Sequence, residues 1–567
     1  MSFEQPAELP SGHLGSNGSM ISQSPPQTFV RGQGILGALH MSSRRGVLAR
    51  FLSRGALALL SAGLLACSLP GPDLGWLAWI ALVPLLMACE GLSPVQAGAL
   101  GFFTGMAANL TIYHWVFEVQ GFGIHHFLIL STFFALFPAV WCAGVSWLSR
   151  RRSSRIFAAT ALWVLLDYVR AHAGFMAFPW GTLAQTQHNN FALLQVATIV
   201  GEYGVTFLVV MANTALADFF LTRTWRRAAL IGLLIVLIHL GGTLVLALQN
   251  RETTIKVAVV QPNILLHERT TREGRAAVFD RLERLTVEAA GSHPALIVWP
   301  ETAIAGNLRA NPFLAADLMA LVQEVRTPLV LGVGEVEKFA TRDIHGNMAQ
   351  RAYNAAYVAK PDHGLEAPYI KRVLMPFGEY VPLERVIGWP GWLAPPVFQT
   401  VVGNTPSTFR LNDGTPFAPL ICWENLFGDL ARESVQAGAR LLVLLTNDGW
   451  FGHTAEPRQH NLASVLRAVE NRVPIVVASN TGPSQIIDPY GRVIVQAASI
   501  FHQEVITGDV TLGAGGTLYT RTGDVFVFLV VAGLAIVALR CWLSHGGTLS
   551  DEANPCLNGN NLLKGDF

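Results

Sequence analysis

The chain has 567 residues, of which 51% are hydrophobic and only 14% charged, with a formal net charge of +1. Soluble globular domains carry roughly 25% charged residues, so the deficit points away from a water-soluble protein and towards a membrane. With no basic excess, a nucleic-acid partner is not expected either.

The first 43 residues are rich in Ser, Gly, Pro and Gln and read as a disordered extension. A membrane domain is expected over 44–250. A crossing helix needs about 20 mostly apolar residues, and candidates fall at 54–70, 74–91, 95–115, 124–148, 156–172, 192–221 and 228–248. An eighth, at 524–544, lies in a closing segment 513–545, and 546–567 is a polar tail. Arg44, Arg45, Arg50 and Arg54 precede the first span; Arg150, Arg151, Arg152 and Arg155 follow the fourth; Arg223, Arg226 and Arg227 follow the sixth. Loops 116–123 and 173–190 lack Lys and Arg altogether. Positive charge stays on the cytoplasmic side. The N-terminus is therefore expected in the cytoplasm, residues 251–512 outside, and the tail back in the cytoplasm.

The stretch 251–512 has ordinary mixed polarity. Strands are expected at Ile255–Val260, Leu296–Trp299, Leu329–Val333, Phe417–Cys422, Leu441–Leu445 and Ile475–Ala478. Helical spacing marks 272–290, 313–326, 425–437 and 457–472. Strands alternating with helices imply an α/β layered domain with covered sheets, and chemistry in such domains gathers at strand ends.

Three reactive groups stand at such ends. Glu301 follows Leu296-Ile297-Val298-Trp299-Pro300, Lys371 closes Tyr369-Ile370, and Cys422 sits where a strand gives way to a helix. A helix start after the nucleophile is expected to favour its thiolate. Of six cysteines, Cys67, Cys89, Cys142 and Cys541 fall within spans and Cys556 in the tail. Cys422 is thus the only thiol of the outer domain, unpaired in a compartment that favours disulfides.

These residues resemble the nitrilase superfamily, with its Glu-Lys-Cys triad, and more closely the bacterial apolipoprotein N-acyltransferases. The resemblance covers about residues 55–545. It rests on Trp299-Pro300-Glu301, the run from Lys371 through Met375-Pro376-Phe377-Gly378-Glu379-Tyr380 to Pro382, Cys422-Trp423-Glu424, Thr446-Asn447-Asp448-Gly449-Trp450-Phe451-Gly452 and Arg467–Arg472. Phe178-Pro179-Trp180-Gly181 and Gly201-Glu202-Tyr203-Gly204 extend it into the membrane part. Two departures stand out: no Trp follows Gln261 in the His267–Thr270 region, and Trp423 stands where Tyr is common.

The resemblance implies a polytopic helical membrane protein with an extramembrane α-β-β-α sandwich on the periplasmic side of the bacterial inner membrane. It implies an acyl chain taken from a phosphatidylethanolamine-like phospholipid and passed, through a thioester on Cys422, to the α-amino group of a diacylglyceryl-modified apolipoprotein. Glu301 is then general base and acid, and Lys371 the oxyanion stabiliser. No cofactor or metal is implied, and a monomer is expected.

Glu379 is a candidate to orient Lys371 or the amine. Glu424 reads equally as a helix cap or a site residue. Trp423 and Trp450 are candidates to line an acyl groove, and His460 is expected to be structural. The apolar loop 387–398, with Trp389 and Trp392, reads as a lid at the lipid interface. Glu90, Asp167, Arg170, Glu202 and Asp218 are costly in lipid and so candidates for function; Asp167 and Arg170, three apart on one helix, are also placed to pair. His114, His125 and His126 lack the further ligands of a metal site. Two other readings compete: a membrane-anchored amidase, in which water resolves the thioester, and a transporter or receptor, in which Cys422 is idle.

Overall fold

The computed structural model describes residues 33–148, 154–249, 253–342, 348–384, 386–393 and 400–549, without side chains at 33–48, 338–349 and 544–549. Residues 1–32 of the expected extension, Arg150-Arg151-Arg152, 394–398 of the apolar loop and the tail from 550 lie outside the described residues. Residues up to Ser53 form one unit and Arg54–Phe567 another. The first helix, Gln33–Cys67, starts inside the stretch expected to be unstructured, at a run (Ile35-Leu36-Gly37-Ala38-Leu39) containing good helix formers.

Among the described residues, five helices are long and apolar enough to cross a membrane: Ala49–Cys67, Ile124–Leu148, Ala197–Thr222, Trp225–Ala247 and Val525–Leu543. The other expected crossings take other forms. The stretch Gly75–Ala88 is broken into a 3-10 turn, Gly75–Trp79, and a short helix, Val83–Ala88, with Pro84 in its first turn. Proline suits that position because its missing N–H would have had no partner there. Arg155–Ala171 has 17 residues, and Pro94–Ile112 carries Gln96, Thr104, Asn109 and Thr111 among its apolar residues. The helix Trp225–Ala247 exposes Leu230, Leu233, Val236, Leu237, Leu240 and Leu244, a continuous apolar surface of the kind that faces lipid.

The acidic residues singled out within the expected spans are paired. Glu90 Oε2 lies 2.7 Å from Arg155 Nη1, Asp167 Oδ1 3.0 Å from Arg170 Nη2, and Asp218 Oδ2 3.7 Å from Arg227 Nη1. Glu202 Oε2 lies 3.0 Å from Nη2 of Arg467, in the outer domain. Pairing offsets part of the desolvation each charge suffers.

The outer domain has fourteen described strands in chain order: β1 Thr254–Gln261, β2 Leu296–Val298, β3 Ile304–Ala305, β4 Leu329–Arg342, β5 Met348–Lys360, β6 Gly364–Leu365, β7 Tyr369–Ile370, β8 Phe409–Arg410, β9 Pro416–Ile421, β10 Leu442–Thr446, β11 Ile475–Ser479, β12 Gln485–Ile487, β13 Val493–Gln496 and β14 Glu504–Thr511. They build two sheets. One runs β14-β1-β2-β4-β5-β6, with β3 on β4 and β7 on β5; the other runs β13-β12-β11-β10-β9-β8. The strands β1, β2 and β4 are parallel, as are β9, β10 and β11.

Val257, Val259, Val298, Val330 and Val358 from the first sheet meet Ile421, Val443, Leu445, Val476 and Ile486 from the second in a dry core. The alternate residues of the first sheet pack under the helices Arg272–Ala290 and Pro312–Val325. Those of the second pack under Gly428–Gln436 and Glu456–Asn471, which in turn meet Leu193, Leu194, Ala197, Val205 and Leu208 of the membrane part. The domain is therefore a helix-sheet-sheet-helix sandwich whose second helical layer rests on the membrane helices. Periodicity of two along each strand gives every sheet two apolar faces, one for each neighbouring layer.

Candidate active site

Three strand ends converge. β2 ends at Val298, and Trp299 continues the ladder by donating its N–H to Val330 O at 2.8 Å. The Trp299 ring is fully buried and donates Nε1–H to Thr286 Oγ1 at 2.8 Å, which fixes the stretch leading to Glu301. The neighbouring strand passes very close here. A Cβ added to Gly332 of β4 would lie 2.4 Å from Pro300 O and 2.6 Å from Glu301 Cα, so only glycine fits.

Lys371 follows β7, and its N–H donates to Asn354 O of β5 at 2.9 Å. Its Nζ is buried, 2.9 Å from Glu379 Oε2 and 3.7 Å from Glu301 Oε1. Asn354 bridges both carboxylates: its Nδ2 donates to Glu301 Oε1 at 2.7 Å and to Glu379 Oε1 at 2.9 Å. Glu379 Oε2 also accepts from the Met375 N–H at 2.8 Å. Glu379, expected to orient Lys371, contacts its ammonium directly. Asn354 was missed by sequence reasoning; its one signal was an amide within the run Ala352–Ala359 of Ala, Tyr and Val, where Asn is disfavoured.

Cys422 follows β9 with φ of 55°, a left-handed conformation rare for a residue with a side chain. Such strain persists only where the surroundings impose it, and it clusters at functional turns. The restraint comes from Glu424. This fully buried carboxylate accepts from the N–H groups of Ile421 (2.8 Å), Arg372 (2.6 Å) and Val373 (3.1 Å) and from the Tyr369 hydroxyl (2.8 Å). It thus both caps the turn and ties it to the segment of Lys371. Asn425, also fully buried, donates to His460 O and Ser464 Oγ, both at 3.0 Å, fastening the turn to the helix behind it.

Electrostatics assign the protons. Burial raises the Glu301 carboxyl above its ordinary range, and the Lys371 ammonium only partly opposes this. Burial works against the Lys371 ammonium, yet Cys422 whenever it is ionised, and the facing Glu379 and Glu301 carboxylates, outweigh it and hold the group charged to unusually high pH. The Cys422 thiol is pushed well up, by burial first and then by the Glu301 carboxylate. The helix start expected to favour the thiolate does not do so. Cys422 opens only a 3-10 turn, Cys422–Leu426, too short to supply a helix dipole, and carboxylates surround it. The thiol therefore waits protonated beside a basic carboxylate.

The aromatic candidates separate. Trp423 is core rather than groove: its Nε1–H donates to Val373 O at 2.8 Å and its ring packs among Phe178 and Phe427. Trp450 is 44% exposed and lines a cavity. Trp389 donates to Pro382 O at 2.6 Å and meets Phe377 edge-on. Trp392 is 54% exposed and sets its ring against His125, at the start of the helix Ile124–Leu148.

Two groupings bring His and carboxylate atoms within 4.8 Å of one another: Asp448, Glu456, His460 and His172, Asp429, Asp524. In the first, Asp448 already accepts from Thr446 Oγ1, His460 Nδ1 and Ser479 Oγ at 2.9–3.0 Å, a hydrogen-bonded knot that braces the turn after β10.

Known proteins match this chain along most of its length. The profile of the apolipoprotein N-acyltransferase N-terminal domain matches residues 61–215, and that of the carbon-nitrogen hydrolases matches 256–518. The apolipoprotein N-acyltransferase of Geobacter metallireducens is 36% identical, covering 85% of this chain and 94% of its own. That of Gloeobacter violaceus is 32% identical over 87% and 95% of the two chains. A solved amidase from Nesterenkonia sp. overlays with 16% identity and a TM-score of 0.34, covering 50% of this chain and 97% of its own. The chain therefore belongs to the apolipoprotein N-acyltransferases, a family of membrane acyltransferases whose C-terminal half is a nitrilase-superfamily domain.

Proposed function

We propose that the chain crosses the inner membrane eight times, holds residues 251–512 on the periplasmic side, and moves an acyl chain from a phosphatidylethanolamine-like phospholipid to a diacylglyceryl-modified apolipoprotein through a thioester on Cys422. The observation that carries this is the buried cluster of a basic carboxylate, a charged lysine and a protonated thiol at three adjoining strand ends.

Glu301 takes the Cys422 proton as Sγ attacks the ester carbonyl carbon. The carbonyl oxygen becomes an oxyanion opposite the Lys371 ammonium, whose fixed charge needs no reorganisation; stabilisation of this kind is worth roughly 3–4 kcal/mol per donor. Collapse breaks the ester C–O bond, and Glu301 returns its proton to the departing lysophospholipid oxygen. The lipoprotein α-amine then attacks the thioester carbon, loses a proton to Glu301, and Sγ leaves and recovers that proton. The first half-reaction leaves Cys422 acylated and Glu301 ionised, and the second restores the thiol, as a ping-pong cycle requires. Glu379 and Asn354 position the two charged partners, and Glu424 holds the nucleophile turn in register. The loop 386–393, with Trp392 on the helix Ile124–Leu148, gates lipid entry between the membrane part and the sandwich.

The amidase reading differs only in the second half-reaction. Incubation of the purified monomer with phospholipid and a diacylglyceryl-cysteine peptide tests it. N-acyl peptide formed in step with lysophospholipid supports transfer; lysophospholipid and free fatty acid without acyl peptide would favour hydrolysis. Loss of both products in Cys422→Ala separates either enzyme from a transporter.

A further inference from the structure

The scheme above leaves Arg269, a partly buried cation, unused. Arg269 lies in the turn after β1, and its Nη1 donates to Thr302 Oγ1 at 2.6 Å, one residue beyond Glu301. Its Nε and Nη2 are shut off from solvent and have no hydrogen-bond partner among the described residues. The Glu301 and Glu268 carboxylates act on its charge without accepting from these two nitrogens; idle buried donors are costly, so the arrangement points to a further anion. Arg269 lines a cavity of about 200 Å³ whose walls also include Thr481, Asn447, Trp450 and Glu118. The Thr481 hydroxyl is likewise buried without a partner among the described residues.

The cavity joins both halves of the protein. Asn447 and Trp450 flank Asp448 on the turn after β10, and Asp448 is close enough for its charge to act on Cys422 and Glu301. Glu118 ends the 3-10 turn His114–Glu118, between the helices Pro94–Ile112 and Ile124–Leu148. Its carboxylate is exposed and makes no ion pair among the described residues. One wall thus offers a planar cationic fork and a hydroxyl, the other a carboxylate beside an indole face. A guanidinium fork fits phosphate oxygens two at a time, and a carboxylate with an aromatic face suits an ammonium. The volume is below the roughly 300–1,000 Å³ of a pocket for a drug-sized ligand, so it admits a small polar head and not an acyl chain.

We propose that this cavity is the headgroup subsite for the acyl donor: Arg269 and Thr481 hold the phosphate, and Glu118 and Trp450 hold a headgroup ammonium, placing the glycerol ester beside Cys422. The assignment rests on the acyl-transfer reading of the neighbouring cluster and makes Arg269 and Glu118 the residues that choose the donor.

Thioester formation on Cys422 in the full-length protein, measured with donors of identical chains, tests it. The donors are phosphoethanolamine lipid, phosphoglycerol lipid and phosphate-free diacylglycerol. Arg269→Gln is expected to raise KM for both phospholipids about 10- to 100-fold, the value of a lost hydrogen bond to a charged group, with a much smaller change in kcat. Glu118→Gln is expected to erase the preference for phosphoethanolamine over phosphoglycerol lipid. An equal fall with diacylglycerol in Arg269→Gln, or an unaltered preference in Glu118→Gln, overturns the assignment. A second arm is independent of chemistry: binding of glycerophosphoethanolamine and of inorganic phosphate to Cys422→Ala protein by calorimetry. Binding of the former that is abolished by adding Arg269→Gln supports the subsite. Equal binding of inorganic phosphate identifies a simple phosphate site and overturns the headgroup assignment. A wild-type protein that forms no thioester with any donor, yet binds glycerophosphoethanolamine through Arg269, removes the acyl-transfer reading and leaves the cavity's ligand standing.

Discussion

Glu424 accepts the Arg372 N–H at 2.6 Å, so the carboxylate two residues after the nucleophile grips the backbone one residue after the lysine. A single buried side chain sets the distance between Cys422 and Lys371. Removing one partner from a buried charged network costs about 3–5 kcal/mol. Glu424→Ala is therefore expected to lower Tm and to slow thioester formation by more than tenfold. Glu424→Gln, which turns a donor towards the same N–H groups, is expected to do nearly as much harm. Wild-type stability and rate in Glu424→Gln would contradict the strut.

The pH profile should carry the signature of Glu301. Its carboxyl is raised by burial, then lowered by Lys371 and raised again by Glu379. Only the carboxylate can accept the thiol proton, so acylation falls as pH drops through the folded value, which lies above the roughly 4.3 of a free glutamate. Glu379→Gln removes a like charge from Glu301 and a partner from Lys371. Both limbs of the profile are then expected to move to lower pH, alongside a drop in rate. An acid limb that stays in place or moves up would refute the assignment of Glu301 as base.

Gly332 tests the packing behind Glu301. An added methyl would meet Pro300 O and Glu301 Cα, backbone atoms that cannot swing aside. Displacements of about 1 Å at a reacting group can cost about 100-fold. Gly332→Ala is expected to lower kcat 10- to 100-fold by this reasoning, with the donor KM little changed and the domain still folded by circular dichroism.

Trp392 reports on the loop. Its ring rests on His125 and is otherwise half open to the surroundings. If the loop gates lipid entry, Trp392→Gln should raise KM for phospholipid about 2- to 10-fold, on the order of the 0.5–1.5 kcal/mol of one aromatic pair, while leaving the second half-reaction with pre-formed thioester unaltered. Equal kcat/KM for donor in the two proteins would remove the gate.

The sequence made the reacting groups legible because each stands at the end of a short apolar run: Glu301 after Leu296–Val298, Lys371 after Tyr369-Ile370 and Cys422 after Phe417–Ile421. Asn354 was hidden because it lies mid-strand, and its partners Glu301 and Glu379 are brought to it only by the pairing of β5 with β4 and β7. Glu424 was ambiguous for a related reason: a carboxylate after a strand looks alike whether it caps a turn or serves a site, and here it accepts from both segments. The helix start expected to favour the thiolate was misread because the periodicity of 425–437 hid a break. The turn ends at Leu426 and the helix starts afresh at Gly428. Among the strands, β14 went unread because it pairs with β1 across the whole domain, and β13 because its outward face is exposed rather than alternating.

The central claim is that Cys422 carries the acyl chain. Purified protein incubated with phospholipid alone, then examined by mass spectrometry, tests it most directly. The account predicts an added acyl mass on the peptide containing Cys422, released by neutral hydroxylamine, absent in Glu301→Gln and discharged by a diacylglyceryl-cysteine peptide. Protein that transfers acyl chains to the peptide while Cys422 stays unmodified under every donor would contradict it.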